Sequence, residues 1–165
     1  MREQLIFVPK KVSTGKKILN MLWFILACIC ILGATFITPV IFMVPAIGFS
    51  LLWFFQQFRS YIEYEYTYYD GDLKFAKIKN KAKRKRIAAI HMDDVLQVAP
   101  KGDRSIYKYE NDNMVKCKDL TSGSADAKIY VVICKSESAI TRIEFEPDED
   151  MLNAMMVKYP RIVIK

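Results

Sequence analysis

Apolar and polar positions divide the chain into three regimes. Residues 1–17 mix cations with short apolar clusters, and Ile18–Phe58 then runs for forty-one residues without one charged side chain. From residue 59 onward, apolar positions recur with the periods of strands and finally of a helix. A bilayer core of about 30 Å is crossed by roughly 20 helical residues, so the apolar run is long enough for two crossings. Thr38-Pro39 stands near its middle. The pattern predicts two transmembrane helices, about Ile18–Ile37 and Val40–Phe58, joined by a tight turn and opening to the same side. Pro45 and Gly48 mark a place where the second can kink.

Past the run, Ile62, Tyr64, Tyr66 and Tyr68 alternate with Glu63, Glu65 and Thr67, the period of a strand. Asp70-Gly71 is a strong hairpin signal, with Leu73, Phe75 and Ile78 on the returning strand. Asn80 supplies a second turn before a strand over 86–92, and Val95–Ala99 is another, ending at Pro100. Ile106, Tyr107 and Tyr109 with Met114, Val115 and Cys117 predict a hairpin turning at Asn111-Asp112-Asn113. Thr121–Asp126 is a loop by composition. The apolar Ile129–Ile133 is a central strand, and Ile140, Ile143 and Phe145 form its partner after a turn at Ser136-Glu137-Ser138. Pro147–Asp150 opens a helix with acids where the dipole favours them. Leu152, Met155, Met156 and Tyr159 give that helix one buried face before Pro160 ends it.

The order is α+β: an N-terminal transmembrane α-hairpin, then six or seven mainly antiparallel strands closing into a barrel or sandwich, then a C-terminal amphipathic helix. Domain limits follow as a basic arm over 1–17, the hairpin over 18–58 and a soluble domain over 59–165. Certain short stretches carry a family resemblance: Tyr64-Glu65-Tyr66 with Gly71-Asp72-Leu73, Lys83-Arg84-Lys85-Arg86, Ala99-Pro100, Phe145-Glu146-Pro147, Met151-Leu152 and Pro160-Arg161. With them the chain resembles small bacterial membrane proteins that have two N-terminal spans and a pleckstrin-homology-like (PH-like) domain. The resemblance implies fold and membrane location, and it carries over no catalytic residue.

Charge placement sets the expected orientation. Of a net +7, residues 1–17 hold five cations (Arg2, Lys10, Lys11, Lys16, Lys17) against Glu3, and residues 74–86 hold eight cations and no acid. The remainder from Arg59 onward has twelve cations and seventeen acids. Lysines precede the first span, Arg59 follows the second, and the turn at Thr38 is uncharged. By the positive-inside rule both termini are cytoplasmic in a multi-pass protein of the plasma membrane. Trp23, Trp53, Phe54 and Phe55 lie toward the inner ends, where aromatic belts form.

The sequence opposes three alternative origins for the apolar run. A cleaved signal peptide would not stay apolar so far past a cleavage point. Ile25-Leu26-Ala27-Cys28 resembles a lipoprotein processing box, but Ile29–Leu32 continues apolar where such proteins turn polar. One long tilted helix conflicts with Pro39, Pro45 and the charge rule.

Candidate chemistry is sparse. Lys77, Lys79, Lys81, Lys83 and Lys85 recur at every second position, so a hairpin would set all five on one face, with Arg84 and Arg86 beside them. These seven are the candidate surface for anionic lipid headgroups, each cation near a membrane contributing about 1 kcal/mol before salt screening. The plainer alternative is a solvated, topogenic charge run. Nucleic acid is not an expected partner, because aromatic interleaving and a recognition helix are lacking. His91 is the single histidine, and Asp93 or Asp94 beside it offers only a weak acid–base pair. Glu144, Glu146, Asp148, Glu149 and Asp150 read as a solvated strand face and helix cap rather than a cation site. Tyr61, Tyr64, Tyr66, Tyr68 and Tyr69 read as sheet packing and interfacial belt. Cys28, Cys30, Cys117 and Cys134 form no metal-ligand spacing and suit a reducing compartment. No catalytic residue, metal or cofactor is expected. The function expected is a membrane-anchored, non-enzymatic interaction module that binds a membrane protein partner, a second copy or anionic lipid. The alternative is an accessory subunit or enzyme with chemistry near His91.

Overall fold

The computed structural model describes residues 3–59, 61–112, 114–136 and 139–165. Arg2, Asn113, Glu137 and Ser138 lie outside these, and with them one N-terminal cation and parts of two expected turns. The chain forms two compact units, one of Lys11–Tyr61 and one that joins the N-terminal segment up to Lys10 with Ile62–Lys165.

The first unit is a helical hairpin, α1 over Thr14–Phe36 and α2 over Pro39–Arg59. Both are long and apolar enough to cross a membrane, and only 6% of the most apolar window of each is buried inside the protein. Apolar and small residues hold the helices together. Trp23 stacks on Phe49 at 5.8 Å, Phe24 meets Trp53 at 5.7 Å, and Ala27 and Ala46 are buried. A Cβ on Gly33 would come within 2.8 Å of the Phe42 ring, so the absence of a side chain allows that approach. Asn20 donates to Gln57 at 2.9 Å near the open end. The Ile37 amide reaches the Gly33 carbonyl and closes α1 before the turn. Proline at 39 is placed where a helix lacks amide partners in any case, and α2 runs on through Pro45.

The second unit contains two four-stranded sheets. The first has the order β1-β2-β3-β4, from Gln4–Pro9, Ile62–Tyr69, Asp72–Lys79 and Lys83–His91. The second has the order β5-β7-β8-β6, from Val95–Pro100, Lys116–Asp119, Tyr130–Ser136 and Ala139–Phe145 numbered along the chain. A one-turn helix α3 spans Tyr107–Glu110, and α4 spans Glu149–Lys158.

The N-terminal segment corrects the expectation of a basic arm. Gln4–Pro9 is a strand paired antiparallel with β2, with Val8 opposite Tyr64 and Ile6 opposite Tyr66. Its alternation is that of a half-buried strand: Val8 enters the core while Leu5 and Phe7 stay about half exposed. Their neighbouring cations draw attention to charge and hide a six-residue strand. The helical hairpin is therefore an insertion between two adjacent, hydrogen-bonded strands.

The tyrosine stretch builds the core. Tyr64, Tyr66 and Tyr68 face inward, and the rings of Tyr66, Phe75 and Phe145 meet edge to face at 5.5–5.7 Å. The buried Tyr66 hydroxyl donates to the Leu120 carbonyl at 2.5 Å. Asp70 and Gly71 both take positive φ, the type I′ geometry expected of Asp-Gly. A Cβ on Gly71 would also meet the Tyr159 hydroxyl at 2.8 Å. Helix α4 begins where Asp148 accepts from the Met151 amide at 2.8 Å, and it buries Met151, Leu152 and Met155.

The hairpin expected over 106–117 does not form. Tyr107–Glu110 is helical, and β6 pairs in parallel with β8, Cys117 lying opposite Arg142. The apolar strand β7 is central, as its sequence predicts, and apolar on both faces. Val132 enters the main core, while Val131 and Ile133 enter a second cluster with Ala99 and Ile106. That second face needs a cover. Ile106, with Tyr109 packed beside it, provides part of it, which takes the segment out of the sheet.

Candidate functional site

The basic hairpin of β3 and β4 is the site that the sequence singles out, and its register decides which cations act together. Lys77 lies directly opposite Lys85, and Lys79 opposite Lys83. These four share the face that carries Tyr64 and Phe75 further along the sheet. Lys81 does not belong to it. Asn80 and Lys81 take positive φ in the turn, and the Ala82 amide returns to the Lys79 carbonyl at 3.1 Å. Arg84 and Arg86 are on the opposite face, across from Ile78 and Ala76. The expectation of five lysines on one face is thus corrected to four, because the turn takes Lys81 out of the strand geometry.

The two faces differ chemically. On the arginine face, Arg84 pairs with Glu65, whose side chain is buried, and Lys74 pairs with Asp72 at 3.2 Å. Lys74, Arg84 and Arg86 line a depression of about 440 Å³ with Glu3, Thr67 and Tyr69. Acids compensate most of its charge. On the lysine face, Lys79, Lys83 and Lys85 are exposed and have no ion-pair partner among the described residues. Lys10 and Lys77 stand over the Tyr64 ring at 5.6 and 5.9 Å.

The pairing also locates this face along the sheet. Ile62, the first residue of β2, pairs with Lys79, and the Lys10 amide donates to the Ile62 carbonyl at 2.9 Å. The basic turn and both junctions with the helical hairpin therefore lie at one end of the first sheet. Nearby, burial pushes the Asp119 carboxyl up. Hydrogen bonds from the Thr121 amide and hydroxyl and the charges of Lys10 and Lys101 outweigh it, leaving the group below its ordinary value.

The other candidates resolve into structural roles. His91 meets Asp72 at 2.9 Å rather than Asp93 or Asp94, because the strand register sets it opposite Asp72 while the two acids fall in the following 3-10 turn. Glu144 is held by Lys101 at 2.7 Å and Arg142 at 3.3 Å. Glu146 accepts from the Ser122 amide and hydroxyl, and Asp148 caps α4. Among the described residues no group of three His, Cys, Asp or Glu side chains is placed to hold a metal ion. All four cysteines are free thiols. The sequence did not single out the Arg142–Cys117–Glu144 cluster, in which Arg142 donates to the Cys117 sulfur at 3.3 Å. A parallel pairing between distant strands creates it, and no local signal announces such a pairing.

Two mainly antiparallel sheets followed by a C-terminal helix, with a helical hairpin set between the first two strands, define an α+β PH-like protein. The chain matches the family described as "Bacterial PH-like domain (DUF6106)" over residues 3–165, and it belongs to that family. Neither a curated protein nor a solved structure matches it.

Proposed function

We propose that this protein is a membrane-anchored, non-enzymatic interaction module, whose helical hairpin holds the PH-like domain at the inner face of the plasma membrane. The observation that carries the reading is the insertion of the hairpin between β1 and β2, whose facing ends Lys10 and Ile62 are hydrogen-bonded. The chain passes from Pro9 of β1 to Thr14 of α1, and from Arg59 of α2 to Ile62 of β2, through short connections. Arg59 ends α2 three positions before Ile62, a reach of about 10 Å at full extension. Lysines at 10, 11, 16 and 17 beside an uncharged turn at Thr38 favour the cytoplasmic side for both termini. No Asp, Glu, Lys, Arg or His lies between Ile18 and Phe58, which supports holding rather than transport by the spans.

Cysteine labelling tests the reading on the full chain. With Cys28 and Cys30 changed to Ser, the exposed Cys117 should react with a membrane-impermeant maleimide only after cells are opened, and the protein should resist carbonate extraction. Labelling of Cys117 in intact cells, or release by carbonate, overturns it. Capture from native membranes would then identify the partner. Chemistry near His91 has less support, because its exposed pair with Asp72 accompanies no activated nucleophile among the described residues.

A further inference from the structure

We propose that Lys79, Lys83 and Lys85 form a docking surface for anionic lipid, read by charge density rather than headgroup stereochemistry, and that Arg84 and Arg86 take no part in it. The inference rests on the reading that the domain stands at the inner leaflet, and it names which face of the domain meets that leaflet.

Cross-strand like charges repel, and the register sets Lys79 against Lys83 and Lys77 against Lys85 in two successive pairs. Four lysines elsewhere in this domain are held locally, Lys74 by Asp72, Lys101 by Glu144, Lys158 by Asp70 and Lys165 by Asn153, whereas exposed Lys108, Lys128 and Lys135 stand apart from one another in sequence and are not set in cross-strand pairs with one another. Lys79, Lys83 and Lys85 have no such counter-charge among the described residues. A concentration of uncompensated charge at one place is stabilised by negative charge from outside. The pairing of Lys79 with Ile62 places it at the end of the sheet where the chain departs for the helices. A fixed anionic surface is what that end of the chain is tethered to, and its potential extends about a Debye length, roughly 8 Å at physiological salt.

The residue type fits a diffuse headgroup layer. Lysine ammonium groups are compact, hydrated point charges on flexible stems, whereas the planar forks of arginine suit stereospecific recognition of one phosphate. Here the arginines stand on the other face, and Arg84 is already engaged by the buried Glu65 carboxylate. A specific headgroup site would combine both residue types in one enclosed place, and the strand register separates them.

Lysine footprinting of the full chain in nanodiscs tests this. One set of discs contains phosphatidylcholine alone, the other an equal mixture with phosphatidylglycerol, and acylation of each lysine is followed by mass spectrometry. Lys79, Lys83 and Lys85 should be modified several-fold more slowly in the mixed discs, and the difference should collapse at high salt. The exposed Lys108, Lys128 and Lys135 should be unchanged. An Arg86→Gln variant, which disturbs no ion pair among the described residues, should keep the same protection. Equal rates in the two kinds of disc overturn the proposal, and so does loss of protection in the Arg86→Gln variant. Protection seen only in native membranes overturns it in favour of an acidic protein partner. In each case the helices remain in the disc, so the anchoring reading stands or falls separately through the Cys117 experiment.

Discussion

The Lys10 amide donates to the Ile62 carbonyl at 2.9 Å, so the two residues that flank the whole helical hairpin are neighbours in a β-ladder. Adjacent strands are ordinarily joined by two to five residues. Here all of Lys11–Tyr61 occupies that place. Replacing Lys11–Tyr61 by a short Asn-Gly turn should therefore give a water-soluble domain that unfolds cooperatively on heating. A fragment starting at Ile62 should not match it, because it lacks β1. Loss of the buried Val8 side chain alone costs about 2 kcal/mol. Circular dichroism melts of the two proteins compare them, and equal midpoints would remove β1 from the fold.

Tyr66→Phe deletes the donor to the Leu120 carbonyl inside the core while keeping the ring packing. A buried carbonyl left without its partner costs about 1–3 kcal/mol, which lowers Tm by several degrees in a domain of this size. Tyr69 is exposed, and Tyr69→Phe should leave the melt unchanged. The soluble form described above suits this comparison.

The Asp119 carboxyl predicts an acid-dependent part of stability. Its pKa is lowered in the fold by its Thr121 hydrogen bonds and by Lys10 and Lys101, against the upward push of burial. A depressed native pKa contributes stability above the unfolded value, about 3.9 for an aspartate. That contribution is lost as the pH falls through the native value. Asp119→Asn should be less stable than the parent at neutral pH, and the gap should narrow in acid. Urea titrations at several pH values measure it; a gap that stays constant with pH contradicts the assignment.

Gly33 and Gly48 make a matched test of the helical hairpin. A methyl at position 33 would meet the Phe42 ring at 2.8 Å, whereas one at position 48 would meet nothing within 4 Å. Gly33→Ala should weaken helix packing by about 1–3 kcal/mol. Gly48→Ala should be neutral or slightly stabilising, since alanine is the better helix former. Detergent unfolding of the full chain, followed by the fluorescence of Trp23 and Trp53, separates the two outcomes.

Signals that reside in neighbouring residues were legible in the sequence. The uncharged Ile18–Phe58 run predicts the two helices, and helices do form over Thr14–Phe36 and Pro39–Arg59. The alternation from Ile62 to Tyr68, the Asp70-Gly71 turn and the amphipathic 149–158 segment also became the elements they predict. Three features were not local. The Leu5–Val8 strand shows itself only against β2, more than fifty positions away. The parallel pairing of Cys117 with Arg142 leaves no mark on either segment. The loss of Lys81 from the lysine face depends on two left-handed residues at the turn, Asn80 and Lys81, and a period-two count passes straight through them.

The insertion also orders events during synthesis. Strand β1 precedes both helices of the hairpin in the chain and β2 follows them, so the first sheet cannot close until the helical segment has been made. Until then Leu5-Ile6-Phe7-Val8 is an apolar strand without its ladder, a segment open to pairing with other chains. Once β2 has been made, Lys10 and Ile62 can pair and that exposure ends. For this protein, completion of the two-sheet domain waits on synthesis of the helical segment.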